Sequence, residues 1–426
     1  MRLRKTITTI VATAILLAGW QLFAVIANQP ELIPSLPRLV RTLCEWLVSG
    51  SFYQSVGATI LRGVLGMSIS FVCAIGMAGL FARFEWVYEL FRPLLAIMRS
   101  IPVISFILLA LIFLNPESIP LMIAFLTMFP LLTENLTRGI LDLRPGLSIM
   151  ARQFHIKRSN VLFQIIYPQL KPFLYSGLAS AAGFGWRAII MGEVLSQCAF
   201  GIGSEMKRAQ NFISVPELLA WTIVAVFISF FFDKGISKVA DITPKISFAN
   251  EDQTIPTPTL SVLDTKDISY QYGIQHFSHS FQKGIIYGIS APSGKGKTTL
   301  LNLIGGILLP TEGEIHPTRH FGIATIFQQP QLLPHLTAEE NIILPLSSFL
   351  TEEKARRIAQ KHLQEMEMEP FGNRYPKELS YGQQQRIAIA RALAYPSPLL
   401  LMDEPFKGLD LSLIHISEPT RPEPIS

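Results

Sequence analysis

The sequence predicts a helical membrane domain of six spans followed by a soluble α/β domain built on a phosphate-binding loop. Three observations carry this reading. Apolar residues make up 49% of the 426, with mean hydropathy +0.37, and the excess lies in the first 236 residues. Runs there are long enough, about 20 residues each, to cross roughly 30 Å of hydrocarbon. Further on, the glycine-rich Ala291-Pro-Ser-Gly-Lys-Gly-Lys-Thr-Thr299 stands between a strand-like and a helix-like run.

The candidate spans lie near 7–26, 57–82, 94–114, 118–136, 173–197 and 218–236. The first follows Arg2, Arg4 and Lys5 as a secretory leader would. No convincing small-residue cleavage site follows it, so an uncleaved helix is expected. If the spans alternate, Arg2, Arg4, Lys5, Arg83, Arg92, Arg138, Arg144, Arg152, Lys157, Arg158 and Lys171 share one side, which is then the cytoplasm. Arg38, Arg41, Lys207 and Arg208 fall outside and weaken the bias without reversing it. A multi-pass protein of the bacterial cytoplasmic membrane is expected, with the N-terminus and the soluble domain cytoplasmic.

A net charge of +5 and a pI of about 9.0 could suit nucleic acid. The basic residues flank apolar runs, so lipid is the expected partner and nucleic acid is not. Cys44, Cys73 and Cys198 are widely spaced and all in the apolar part, which indicates neither a disulfide framework nor a metal cluster.

Within the fifth span, Arg187 and Glu193 would each cost about 2.5–3.5 kcal/mol in lipid, so each should face protein or a water-filled path. Six residues of helix turn through roughly 240°, so the two do not share a face. Pairing with another helix and lining an anion path both remain open. Gly57, Gly63, Gly66 and Gly76 in the second span favour close helix packing.

Residues 241–259 turn polar, with Pro244, Pro256, Pro258 and Asn250-Glu-Asp252, and read as an extended linker between a membrane domain at 1–240 and a soluble domain at 260–410. In the latter, Ile285-Ile-Tyr-Gly-Ile-Ser290 is a short strand entering the glycine-rich loop, and Thr299-Leu-Leu-Asn-Leu-Ile304 has helical spacing. That context lets the backbone N–H groups from Ser293, Gly294, Lys295 and Gly296 through Thr299 curl around phosphates at a helix N-terminus. Lys297 would reach the β and γ phosphates of ATP and Thr298 would offer its hydroxyl to Mg²⁺. Ala291 stands where the pattern opens with Gly. If that position needs positive φ, its methyl group costs about 1 kcal/mol. Leu399-Leu-Leu-Met402 is a buried-strand run ending in Asp403 and Glu404, which puts one carboxylate on Mg²⁺ and another beside the attacking water.

Leu379-Ser-Tyr-Gly-Gln383 resembles the signature of ABC ATPases, with Tyr381 in place of a usual Gly. The resemblance implies that Glu404 is the general base and that Ser380, Tyr381, Gly382 and Gln383 meet the γ-phosphate held by a second subunit. It also implies that Gln328, in Ile326-Phe-Gln-Gln-Pro330, senses Mg²⁺ and water. Tyr272 is placed to stack on adenine, although Tyr270 is close by and either could be a plain strand residue. Gly408-Leu-Asp410 resembles the loop that touches the partner's phosphate loop.

Arg99-Ser-Ile-Pro102, Ala181-Ala-Gly-Phe-Gly-Trp186, Gly192-Glu193 and Gly201-Ile-Gly203 resemble the permeases of the nitrate, sulfonate, taurine and bicarbonate importers, over roughly 30–236. The loop 137–172 resembles their coupling loop. Ala151 and Pro168 match its pattern, whereas Ile149, Met150 and His155 depart from it.

Together these resemblances imply an all-α polytopic membrane domain followed by an α/β P-loop NTPase domain of the ABC type, incomplete at its C-terminus. An ABC ATPase should continue past Asp410 through a further strand ending in a switch histidine. Leu413-Ile-His-Ile-Ser-Glu-Pro-Thr-Arg-Pro422 instead looks like a translated sequencing adapter, so 411–426 is expected to be non-native, and His415 is too close to Asp410 to be that histidine. The implied protein is a fused half-transporter, at least a homodimer, hydrolysing ATP with Mg²⁺ and served by a periplasmic or lipid-anchored solute-binding protein. A nitrate-, sulfonate- or taurine-like anion is the implied cargo, with thiamine or its pyrimidine precursors as an alternative. An exporter and an ATP-binding membrane regulator or inactive remnant are the rivals of other classes.

Overall fold

Long apolar runs wind into helices through the first part of the chain: α1 (Arg2–Ala27), α2 (Leu36–Trp46), α3 (Gly50–Arg83), α4 (Glu85–Ser100), α5 (Val103–Phe113), α6 (Ile119–Leu141), α7 (Pro145–Gln153), α8 (Arg158–Asn160), α9 (Tyr167–Ser196), α10 (Ile202–Asn211) and α11 (Val215–Ala240). The computed structural model describes residues 2–240, 244–253, 262–271, 273–292, 294–316, 323–407 and 424–425. They divide into two units, Met1–Asp142 with Leu170–Ile242, and Leu143–Gln169 with Thr243–Ser426.

In the first unit the apolar core gathers α3, α6 and α9 around Ala74, Ala78, Ala124, Met128, Ala181 and Ile189. Gly66 allows the approach of α6, since a Cβ there would lie 2.6 Å from that of Ala124. Gly63 serves Trp186 in the same way, whereas Gly57 and Gly76 face open space, so only two of the four expected packing glycines act as such.

Among the described residues, Gly50–Arg83, Pro116–Leu141, Arg158–Ser196 and Val215–Lys238 are long and apolar enough to cross a membrane. The third expected span, 94–114, is not straight: α4 and α5 bend by 94° across Ile101 and Pro102. Pro102 has no N–H and holds Ile101 in extended backbone (φ −71°, ψ 130°), which ends α4. The apolar stretch of α1, Val11–Ala27, is shorter than the other spans.

In the second unit, β1 (Val262–Tyr270) pairs antiparallel with β2 (Ile274–Gln282) on one side and β4 (Glu312–His316) on the other. The strand entering the phosphate loop, β3 (Gly288–Ile289), is shorter than the expected 285–290 and pairs in parallel with β7 (Pro424–Ile425). A separate parallel pair joins β5 (Ala324–Ile326) to β6 (Leu400–Met402). Helices α12 (Lys297–Ile304), α13 (Ala338–Leu346), α14 (Glu352–Glu365) and α15 (Tyr381–Ala394) complete it. A cavity of about 640 Å³ opens beside β3 and β6, lined by Ile285, Ile286, Ile289, Leu399, Leu401 and Met402.

Two boundaries differ from expectation. The chain from Thr243 onward counts with the second unit, and 244–253 is ordered against it: Ile246 and Phe248 pack on a core that includes Leu346 and Ala394. Alternate apolar side chains let an extended segment bury one edge, a pattern that polar composition hid. The loop segment Leu143–Gln169 belongs to the same unit, with Leu147, Met150, Ala151, Phe154, Ile156 and Ile165 in that core.

Candidate nucleotide site and coupling segment

The glycine-rich loop turns through left-handed backbone at Gly294 (φ +80°) and Gly296 (φ +85°), and Gly296 caps α12. Those angles suit glycine because no Cβ meets the preceding carbonyl. Ala291 is not among the residues with positive φ, so its methyl group carries no such strain. Lys297 lies across the loop, its Nζ donating to the carbonyls of Ala291 (2.6 Å) and Pro292 (3.2 Å).

Strand β6 delivers Asp403 and Glu404 to this loop. The Thr298 hydroxyl donates to Asp403 Oδ2 at 2.9 Å, while the Asp403 N–H donates to the Ile326 carbonyl at 2.9 Å and locks the two strand ends together. Gln328, just beyond β5, donates from Nε2 to Glu404 Oε2 at 3.0 Å, and Lys407 reaches the same oxygen at 3.0 Å. The Gln328 amide, then the Lys407 cation, hold the Glu404 carboxyl below its ordinary 4.5. Glu404 itself sits at φ +47°. The turn after β6 therefore holds a non-glycine residue in strained, left-handed backbone beside Gln328 and Lys407.

Magnesium takes one or two carboxylates and keeps the rest of its shell for water and phosphate oxygens. A hydroxyl and a carboxylate 2.9 Å apart at the start of α12 fit that requirement. Thr298, Gln328 and Asp403 also line one cavity of about 250 Å³, together with Asn302 and Thr325. Among the described residues no cluster of three His, Cys, Asp or Glu could hold a metal by itself.

The signature segment begins α15. Ser380 is its N-cap: its hydroxyl accepts from the Gln383 N–H at 3.3 Å, and the Gln383 side chain accepts from the Ser380 N–H at 2.9 Å. Tyr381, exposed, donates its hydroxyl to the Gln328 carbonyl at 2.9 Å. A glycine could not make this link between signature and glutamine. Gly294, Lys295, Gly296, Lys297, Thr298 and Thr299 form the loop and the first turn of α12. Tyr272, Ser293, Gly408, Asp410 and His415 lie outside the described residues.

Residues 143–169, the candidate coupling segment, are held through buried polar groups. Gln153 donates to the Gly305 carbonyl at 2.7 Å, and its own carbonyl accepts from the Ile323 N–H at 2.9 Å. Phe154 is fully buried, edge-on to Tyr395 at 5.2 Å, and its ring faces the guanidinium of Arg391 at 5.5 Å. Arg391 donates to the carbonyls of Gln331 and Pro330, each at 2.8 Å, and burial pushes it down to about 10, still charged at neutral pH. Ala151 is buried, and its carbonyl accepts from the Ile156 N–H at 2.9 Å. That bond closes a turn through His155 at φ +46°. His155 thus holds a left-handed backbone that is uncommon for a residue other than glycine. Pro168 has no N–H to return to the Gln164 carbonyl, and the residues before it, Val161–Ile166, wind as π-helix.

In the first unit, Glu193 is fully buried and accepts from Thr59 Oγ1 (3.0 Å), Arg62 Nη1 (2.7 Å) and the Gly203 N–H (3.0 Å). Arg62 also donates from Nη2 to Glu117 Oε2 at 2.7 Å. Arg187 is exposed and makes no ion pair among the described residues. The two fifth-span charges are thus separated: Glu193 is enclosed by donors from α3 and α10, and Arg187 lies on the surface of its unit. Arg62 and Glu117 were missed in the sequence reading, although an arginine inside the apolar run 57–82 is itself a signal for a buried partner.

Residues 274–407 match the family described as ABC transporter, and residues 67–233 match the binding-protein-dependent transport system inner membrane component. The spermidine/putrescine import ATP-binding protein of Nitrosomonas europaea is 36% identical over 168 residues, 36% of this chain and 46% of its own length. An uncharacterised ABC transporter ATP-binding protein of Methanocaldococcus jannaschii is 40% identical over 159 residues, 33% of this chain and 68% of its own. The glucose import ATP-binding protein of Saccharolobus solfataricus is 38% identical over 146 residues, covering 31% and 41%. The chain spans about half the length of the curated import proteins it matches.

Proposed function

The chain belongs to the ABC transporter family, a binding-protein-dependent permease joined to an ATP-binding domain, and on that premise we propose that it imports a small solute across the cytoplasmic membrane at the expense of ATP. The observation that carries this is the paired contact at the strand ends, Thr298 with Asp403 and Gln328 with Glu404. Read as a metal-binding pair beside a base-and-amide pair, these contacts support phosphoryl transfer to water.

In this reading Lys297 and the loop N–H groups bind the β and γ phosphates, and Thr298 and Asp403 hold Mg²⁺, which would offset phosphate charge. Glu404 takes the proton of the attacking water, and the Gln328 amide orients both. Ser380 and Gly382 serve the phosphate of a second copy, so a homodimer is the working unit. Closure of the two ATPases moves the coupling segments and switches the permease. A periplasmic or lipid-anchored binding protein delivers the solute, in keeping with the permease family's description.

An anion of the nitrate, sulfonate or taurine kind is the proposed cargo, from the resemblance of residues 30–236 to permeases of such anions, and Arg187, with no ion pair among the described residues, is the candidate for its path. The matches named for polyamine and glucose import align at the ATPase, which does not touch solute. Thiamine or a pyrimidine precursor is the second candidate. Vanadate-sensitive hydrolysis coupled to uptake in proteoliposomes tests the transporter reading, and its absence would favour the regulator or remnant. Unchanged anion uptake by Arg187→Ala would remove the path role.

A further inference from the structure

Residues 244–253 do more than connect two domains. Asn160, with 1% of its surface exposed, uses both ends of its amide on this segment: Oδ1 accepts from the Ser247 N–H at 2.9 Å and Nδ2 donates to the Ser247 carbonyl at 2.8 Å. The same Nδ2 donates to Ser347 Oγ at 2.8 Å. One helical turn later Gln164, fully buried, donates to the Pro244 carbonyl at 3.0 Å.

On its other edge the segment bonds the chain after α13. The Ala249 N–H donates to the Ser347 carbonyl at 3.0 Å and the Gln253 N–H to the Phe349 carbonyl at 2.8 Å. Asp252 Oδ1 accepts from the Thr351 N–H at 2.9 Å and from its hydroxyl at 3.0 Å, with Lys354 at 3.4 Å from the same carboxylate. Ile246 and Phe248 pack on the core between these two rows of bonds.

We propose that residues 244–253 are a strap that clasps the coupling segment to the helical part of the ATPase in the same chain, with Asn160 as its positioning residue. A passive tether needs only length, and its polar groups stay in water. Here a buried side-chain amide mimics a strand partner, and removing it takes the partner from the Ser247 N–H and carbonyl at once and leaves Ser347 Oγ with its bond to the Leu344 carbonyl alone. The Asn160 amide, buried and paired at both ends, favours this arrangement over its neighbours, because a shifted register leaves its donor or its acceptor unpaired. The strap therefore keeps the coupling segment seated while the nucleotide site opens and closes. Its consequence for transport rests on the importer reading above; the clasp itself does not.

Hydrogen exchange on the full chain in lipid nanodiscs, parent against Asn160→Leu, tests the clasp. The 244–253 amides are expected to be protected in the parent and to exchange at least ~10-fold faster in the variant. Ser347→Ala, which leaves Ser247 paired, should give a smaller change in the same peptides. In transport assays, basal hydrolysis by Asn160→Leu should stay within about twofold while its stimulation by solute-loaded binding protein falls about fivefold. Solvent-like exchange of 244–253 in the parent, or unchanged exchange and stimulation in Asn160→Leu, would overturn the proposal. A parent chain without any hydrolysis would instead defeat the importer reading, with the exchange result still deciding the strap.

Discussion

The nucleotide site and the coupling segment share one unit but are held by different physics. At the nucleotide site Thr298, Gln328 and Glu404 are exposed and linked by single bonds of 2.9 to 3.0 Å, in contact with water on their open side. In residues 143–169 Gln153, Phe154, Asn160 and Gln164 are buried and meet backbone carbonyls, ring edges and a guanidinium, while Gln164 Oε1 has no hydrogen-bond partner among the described residues. Exposed, lightly tethered groups can trade partners for a ligand at small cost; a buried amide or ring cannot. Under the proposed function, the first arrangement would suit a site that exchanges its contents and the second a joint that stays together.

The largest effect that separates the two is expected at Glu404. Glu404→Gln keeps the bond to Gln328 available and removes the base, so hydrolysis should fall about 10²–10⁴-fold. Exchange protection across 143–169 and 244–253 should be unaffected; a variant that loosened the coupling segment would break the contrast. Because Gln328 and Lys407 hold the Glu404 carboxyl below 4.5, the base stays ionised above that value, and its share of activity is lost only as pH falls through the lowered range. A rate profile with an acid limb near neutrality would assign the proton transfer to another group.

The converse change is Phe154→Ala. It empties the socket formed by Tyr395 and Arg391 and leaves a buried cation without its ring face, so the loss should be about 3–5 kcal/mol of stability, read by denaturant or thermal unfolding of the second unit's signal. Nucleotide binding, measured below the transition, should change little. A loss under about 1 kcal/mol would mean that the surrounding chain collapses into the space.

Two left-handed residues sharpen the comparison by sign. Gly296→Ala places a methyl group at φ +85° and 3.0 Å from the Gly273 carbonyl oxygen, which should destabilise by about 1–2 kcal/mol and weaken nucleotide binding. His155→Gly relieves φ +46° at the other site and should be neutral or stabilising by up to about 1 kcal/mol, since the unfolded chain gains freedom as well. A clear loss at Gly296 against no loss or a smaller gain at His155 is the expectation, and thermal shifts of the two variants measured side by side report it.

This asymmetry explains what could be read in the sequence. Phosphate binding needs particular atoms: the N–H groups of small residues, positive φ at Gly294 and Gly296, one hydroxyl and two carboxylates. Those requirements leave a spaced string of residues that can be read directly. The coupling segment needs only complementary shape and paired polar groups, which many combinations supply. Its text therefore departs from the expected pattern at Ile149, Met150 and His155 although the structure keeps the turn. The order of 244–253 was hidden for the same reason, since alternating Ile246 and Phe248 among polar residues look like linker composition until a partner covers one edge. The break at Pro102 was present in the text as Arg99-Ser-Ile-Pro102, but hydropathy averaged over a span conceals a bend. Arg62 and Glu193 illustrate the limit for ion pairs: each charge is legible, and the pairing of residues 131 apart is not.

The smallest expected effect falls at Tyr381, which ties the segment resembling the signature directly to the glutamine that meets Glu404. Its hydroxyl donates to the Gln328 carbonyl from an exposed position, so water competes and the bond contributes about 0.5–1.5 kcal/mol. Tyr381→Phe removes that bond and keeps the ring; Tyr381→Gly removes both and restores the residue usual in the resembling signature. If the bond restrains Gln328, both variants should change hydrolysis by about twofold to tenfold in the same direction, because freeing the carbonyl frees the amide that orients water and base. If the ring alone matters, only Tyr381→Gly will respond, and Tyr381→Phe will hydrolyse ATP at the parent rate. Steady-state hydrolysis at saturating ATP distinguishes the cases, and the second result would move this residue from the nucleotide site's working contacts to the packing that surrounds them.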